Sequence, residues 1–235
     1  MKTVRAFTLI ELLVVISIIA LLIGILLPAL ASARSRARQI QGTTQIRGIH
    51  ACMTIFAQSN KGWYPGIDSQ GNLDNASATV ENRFQLLLDQ NYFAGEYIIN
   101  PQESAKTIWQ PGDTVSVNHY SYALLMIHPN NTGDREDEWR QTSNAQAPIA
   151  TDRAIANGAM AVKSIHTNPL VNTSDWQGSV VWNDNHAAFK SDHIMATQIG
   201  DHRFDSDHLF EDEMTVDMFG HNAVMAFSGL TDFVD

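Results

Sequence analysis

Between Phe7 and Leu27 the only charged residue is Glu11, and Pro28 closes the run. At about 1.5 Å per helical residue such a stretch covers roughly 30 Å, the thickness of a bilayer's hydrocarbon. A helix that is apolar all round must be surrounded by lipid or protein, so the rest of the chain has to be built onto a membrane-capable rod. A secretory signal has a shorter apolar core, about 7–15 residues, and ends at a small-x-small cleavage site. Here the run is longer, the leader Met1 to Ala6 is short for a secretory n-region, and helical patterning continues beyond Pro28. An acid in hydrocarbon costs several kcal/mol unless it is paired, so Glu11 needs a partner or a route to the headgroups.

The residues Arg5-Ala6 followed by Phe7-Thr8-Leu9-Ile10-Glu11-Leu12-Leu13-Val14-Val15-Ile16 resemble the class III signal of type IV pilins and type II secretion pseudopilins over about the first thirty positions. The resemblance implies that a prepilin peptidase cuts between Ala6 and Phe7 and methylates the Phe7 amine, although the family usually carries Gly where Ala6 stands. It also implies a role for Glu11, which would meet the Phe amine of a neighbouring subunit and set register during assembly; the alternative is a side chain that snorkels to the headgroups. Pro28 stands where the family places a helix-kinking proline. Its ring removes a backbone donor and clashes four residues back, so a bend or local melting after Gly24 is expected.

Residues 1–60 hold six Lys and Arg against Glu11 alone, or +5; with a net charge of −10 for the chain, residues 61–235 carry −15. So acidic a head argues against nucleic-acid binding, which needs a basic face. One cysteine, Cys52, excludes an intramolecular disulfide and reads as a small buried apolar group. Lys2 and Arg5 precede the apolar run while Arg34, Arg36 and Arg38 follow it, so basic residues do not place the amino terminus inside. The pilin resemblance does. The Arg cluster has three readings: outer-leaflet phosphates, acidic heads of adjacent subunits, or a solvated helix face.

After Pro28, Leu30, Ala33, Ala37, Ile40, Thr44, Gly48, Ala51 and Ile55 recur at helical steps, which predicts an amphipathic helix over 29–60 burying that stripe. His50, alone on it, reads as a surface or satisfied residue. Asn60-Lys61-Gly62 ends the helix, with Gly62 at a left-handed cap. Residues 66–78 read as an exposed loop, and Val80, Phe84, Leu87, Leu88 and Tyr92 predict a second helix over 79–93.

Beyond that the pattern is mainly β. His119 to Leu125 and Ala147 to Ala150 read as strands separated by a loop over 130–144, and Gly178 to Trp182 with His186 to Lys190 as a hairpin turned by Asn183-Asp184-Asn185. That hairpin resembles a Gly-x-x-Val-x-(aromatic)-x-Asp-Gly-His segment near the end of a large group of bacterial prepilin-like proteins, with Asn185 in place of Gly. His166 is then the candidate for the group's upstream His, and Ala150 to Arg153 for its Ala-Asp-Arg strand end. The final apolar residues, Met218 to Phe233, are read as a last strand or a contact for a partner.

The fold class expected is α+β: a long N-terminal helix, transmembrane in one half and amphipathic in the other, packed on a mainly antiparallel sheet with a short second helix. The expected divisions are a leader at 1–6, a transmembrane helix at 7–28, an amphipathic helix at 29–60 and an acidic head at 61–235. Hydrolase motifs are missing: there is no His-Glu-x-x-His, no Gly-x-Ser-x-Gly and no phosphate-cradling glycine loop, so a non-enzymatic head is expected. Asp192-His193, Asp201-His202 and Asp205-x-Asp207-His208, with Glu211 following, offer carboxylates for Ca²⁺, with Asp201, Asp205, Asp207 and Glu211 the candidate ligands, or imidazoles for Zn²⁺. The bland reading of the same segment is a solvated acidic surface.

The resemblance implies a structural subunit of the bacterial inner membrane, single-pass with its head in the periplasm or on the cell surface. Its partners would be copies of itself, other pseudopilins, the prepilin peptidase and an inner-membrane assembly platform. The alternatives are a membrane-tethered protein that binds ions, glycans or a secreted substrate, and a membrane-anchored hydrolase.

Overall fold

A computed structural model describes residues 9–127, 134–156, 162–167, 176–211 and 222–229. One helix, α1, runs from Leu9 to Ser59. By its contacts the chain divides into two units, Met1–Arg38 and Gln39–Asp235. In the first, α1 stays helical through Pro28, so of the bend or local melting expected after Gly24 the melting does not occur. Proline removes one hydrogen bond, and the remaining ladder on either side carries the helix across.

In the second unit α1 buries Gly42, Ile46, Ile49, His50, Met53, Phe56 and Ala57. This is not the stripe expected from sequence: Ile40 and Ile55 are 69% and 55% exposed. Apolar residues lie on more than one face of this segment, and the bulkier set won because it fills more core volume. The helix closes with the Gly62 amide on the Ala57 carbonyl at 2.7 Å. Lys61, at φ 53°, takes the left-handed position expected of Gly62, which follows at φ 93°. Lys61-Gly62 then turns the chain inward, and Tyr64 and Pro65 are buried.

Helix α2, Val80–Asp89, is capped by Thr79, whose hydroxyl accepts from the Asn82 amide at 3.2 Å. It buries Val80, Phe84, Leu87 and Leu88. Arg83 is buried with them; it donates to the Leu125 carbonyl at 2.8 Å, its guanidinium lies 4.9 Å from the centre of the Trp139 ring, and burial lowers its pKa to about 9. A 3-10 turn follows at Gly95–Ile98.

The strands and the third helix, in chain order, are β1 (Tyr122–Leu125), α3 (Asp134–Glu138), β2 (Pro148–Asp152), β3 (Ile155–Ala156), β4 (Val162–Lys163), β5 (Gly178–Trp182), β6 (Ala187–Lys190), β7 (Ile194–Ile199), β8 (His202–His208) and β9 (Met225–Ala226). Five of these strands form an antiparallel sheet in the order β6-β5-β2-β1-β9. Strands β1, β2 and β5 are buried at every position. The portion of α1 in this unit lies on the sheet: Thr43 hydrogen-bonds Ser179 of β5 at 2.8 Å, and the Tyr122 hydroxyl of β1 donates to Gln45 at 3.2 Å. The fold is α+β, a long N-terminal helix on an antiparallel sheet with a short second helix.

The β5–β6 hairpin, the β2 strand and the strand near the end are where the sequence placed them, with Asn185 at φ 66° in the hairpin turn. Two elements differ from expectation. The polar stretch read as a loop over 130–144 contains α3, anchored by buried Arg135, which donates to the Asn222 carbonyl and side-chain oxygens at 2.5 Å each, and by buried Trp139. The acidic segment after Lys190 forms a second hairpin, β7 with β8, rather than an open surface run.

Candidate functional site

Fifteen large apolar side chains between Leu9 and Leu27 are exposed, from Val15 at 46% to Leu9 at 79%. Withdrawing each fully from water would contribute roughly 1.5–3 kcal/mol, tens of kcal/mol in all, so this surface is built for an apolar surrounding. Among the described residues α1 is the one helix long and apolar enough to cross a membrane. Polar groups within the run are few and locally satisfied: the Ser17 hydroxyl donates to the Leu13 carbonyl at 2.8 Å. Glu11 lies in the first turn described, with Leu12 and Val14 exposed around it. Ala6 and Phe7 fall outside the described residues.

In the head, the polar groups singled out from sequence are dispersed. Asp201 is exposed in the turn between β7 and β8, and the Asp205 side chain is 90% exposed. Asp207 faces inward, accepting from Thr197, from the Ala223 amide at 2.7 Å and from Asn222 at 3.3 Å. A bulge explains the divergence of Asp205 and Asp207: Met195 pairs with Asp207 and Thr197 with Phe204, so two residues of β8 face one of β7 and the alternation is broken between them. The four carboxylates Asp201, Asp205, Asp207 and Glu211 are therefore not gathered for calcium, and among the described residues no three His, Cys, Asp or Glu side chains stand at metal-holding distances.

The hairpin resemblance also resolves into packing. His186 stacks on Trp182 with ring centroids 4.2 Å apart and pairs with Asp184 at 2.5 Å. His166 lies 3.1 Å from Asp152 and edge-on to Phe189. His50 is satisfied rather than exposed, lying 3.1 Å from both Asn185 and the Tyr64 hydroxyl. Cys52 is half-buried and donates to the Tyr92 carbonyl at 3.3 Å.

Sequence reasoning missed one pairing. His193, just before β7, and His208, at the end of β8, bring their Nε2 atoms within 2.9 Å of each other. The signal was present in Asp192-His193 and Asp207-His208, but only the hairpin register puts them face to face. Burial, then the charge of His208, hold His193 below the usual imidazole range, against the opposing pull of Asp192.

The family model that matches the chain is the prokaryotic N-terminal methylation motif, over residues 1–27. The chain thus carries, over its first 27 residues, the prepilin-type signal of type IV pilins and pseudopilins, joined to a membrane-capable helix. No curated protein and no solved structure is significantly similar to it.

Proposed function

We propose that this chain is a pilin-like structural subunit. It waits in the inner membrane with its amino terminus on the cytoplasmic side, is cut between Ala6 and Phe7 by a prepilin peptidase and is methylated on Phe7. An inner-membrane platform then builds it, with copies of itself and other pseudopilins, into a type II secretion pseudopilus or a type IV pilus-like filament. The observation that carries this reading is the exposed apolar surface of Leu9 to Leu27, continuous in one helix with the segment that packs on the sheet. Such a surface can pass from lipid to a bundle of identical helices with little change in its surroundings. The head is a structural part rather than an enzyme, its buried Asp152 and Asp207 accepting from the Ser179 and Ala223 amides, and Asn183 accepting from the Tyr64 hydroxyl while it donates to the Glu138 carbonyl.

Glu11 is assigned to pairing with the Phe7 amine of a neighbouring subunit. Glu11→Ala is expected to leave membrane insertion intact, because it makes the run more apolar, while lowering filament incorporation by about tenfold or more, the consequence of losing ~1.4 kcal/mol or more of pairing. Fractionation of membranes and sheared filaments separates the two effects. Unchanged incorporation of the variant would remove Glu11 from the assembly step.

A further inference from the structure

We propose that His193, His208 and Glu211 bind one divalent transition metal of the zinc class, clamping the open end of the β7–β8 hairpin. The two imidazoles bring their Nε2 atoms together in a hydrogen bond, 2.9 Å apart with ring planes at 72°, so a metal would take the place of the one proton between them. Two nitrogens on a tetrahedral zinc, each bound at about 2.0–2.1 Å, stand roughly 3.3 Å apart, so a small separation of the rings admits the ion. A third donor is near but not yet in place, which is why no three side chains among the described residues stand at metal-holding distances: Glu211 Oε2 lies 3.9 Å from His208 Nε2, on a side chain 60% exposed. Rotation of that side chain closes a two-imidazole, one-carboxylate set and leaves a position for water.

The surroundings fit the same ion. Asp192 Oδ1 lies 3.3 Å from His193 Nδ1, the arrangement in which a carboxylate orients a ligating imidazole, and that buried nitrogen has no aligned hydrogen bond. Two nitrogens and one carboxylate suit zinc, copper or nickel rather than calcium or magnesium, which prefer an all-oxygen shell. Two contacts oppose binding: the hydrogen bond between the Nε2 atoms must give up its proton, and the Phe210 amide donates to His208 Nδ1, which must carry the proton once Nε2 is on a metal. At 3.3 Å the Phe210 bond is long and is expected to give way.

The location gives the ion a consequence. Leu209 and Phe210 follow His208 directly into the core, the Leu209 amide donates to the His193 carbonyl at 3.2 Å, and the Met225 amide of β9 donates to the Leu209 carbonyl at 2.8 Å. A metal across His193 and His208 would fasten the hairpin where it joins the edge of the main sheet.

The test is a cobalt titration of the full chain, free of any affinity tag and stripped by chelator, in detergent micelles near neutral pH. Wild type is expected to take up one equivalent with the visible bands of four- or five-coordinate Co²⁺, displaced by Zn²⁺ and not by Ca²⁺. His208→Gln should weaken cobalt binding more than about 100-fold, and Asp192→Asn, which only orients a ligand, about tenfold. Glu211→Gln, at an exposed position that cannot unfold the head, must also weaken it. His186→Ala, on the other hairpin, should bind as wild type does. Failure of the wild type to bind cobalt at millimolar concentration, or binding unaffected by either His208→Gln or Glu211→Gln, would overturn the proposal.

Discussion

Asp152→Ala is expected to lower the stability of the head by roughly 3–5 kcal/mol, the range seen when one partner of a buried charged network is removed. The carboxylate is fully buried at the end of β2. Its Oδ1 accepts from Asn100 at 2.8 Å, and its Oδ2 from the Ser179 amide at 2.6 Å and from His166 Nε2 at 3.1 Å. Three donors on three separate segments would lose their acceptor together, each at a desolvation cost of about 1–3 kcal/mol. The damage reaches α1, because the Ser179 hydroxyl also bonds Thr43, and Asn100 is the neighbour a side chain at Gly42 would strike. Asp152→Asn keeps one acceptor oxygen and is expected to cost less, about 1–2 kcal/mol. Urea unfolding of the full chain in micelles, followed by the fluorescence of buried Trp139 and Trp176, reads both values. A loss under about 1 kcal/mol for the alanine variant would mean that Asp152 is not the tie among these segments.

Gly95→Ala is the second change expected to disturb the head strongly, although it adds one methyl group. A Cβ at Gly95 would overlap the Trp109 carbonyl oxygen and come within 3.0 Å of the Trp109 nitrogen. These are backbone atoms, which cannot rotate aside as a long side chain can, and Trp109 is itself fixed by its indole nitrogen donating to the Asp113 carbonyl at 2.8 Å. Overpacking of this kind costs about 1–3 kcal/mol, and the upper end is expected because the obstacle is main chain. The same unfolding experiment measures it, with Gly24→Ala as the comparison, since nothing lies within 4 Å of a Cβ there. Equal unfolding midpoints for the two variants would show that the 95–109 contact yields freely.

The parts of this fold that could be read from sequence are those where one physical signal acts alone. Leu9 to Leu27 is apolar all round and needs no tertiary information. The β5–β6 hairpin joins a short apolar strand to a turn, Asn183-Asp184-Asn185, whose residues tolerate positive φ.

Where several faces compete, the pattern misleads. In the head-packed part of α1 the small-residue stripe through Ile40 and Ile55 looked regular, yet the buried face holds Gly42 and His50, which enter the core because Asn100 presses on one and Asn185 and Tyr64 satisfy the other. Such partners lie far along the chain and leave no local mark. The same holds for β8: its bulge turns Asp205 outward and Asp207 inward, so a segment that reads as uniformly acidic contains one buried carboxylate held by Thr197, Asn222 and Ala223. Helix α3 was hidden because its anchors, Arg135 and Trp139, bind Asn222 and the Pro65 carbonyl, neither of which is near in sequence. The facing of His193 and His208 was invisible for a related reason, since it depends on the hairpin register that the bulge sets.

Assembly through the apolar helix requires loss of the first six residues, and the mass of the amino-terminal peptide of the protein isolated from its own membranes tests this most directly. The expected peptide begins at Phe7 and carries one methyl group on its amine, and in cells without prepilin peptidase it begins at Met1. A wild-type protein that retains Met1, or that starts beyond Leu27 as a secreted head would, contradicts assembly through a processed apolar helix.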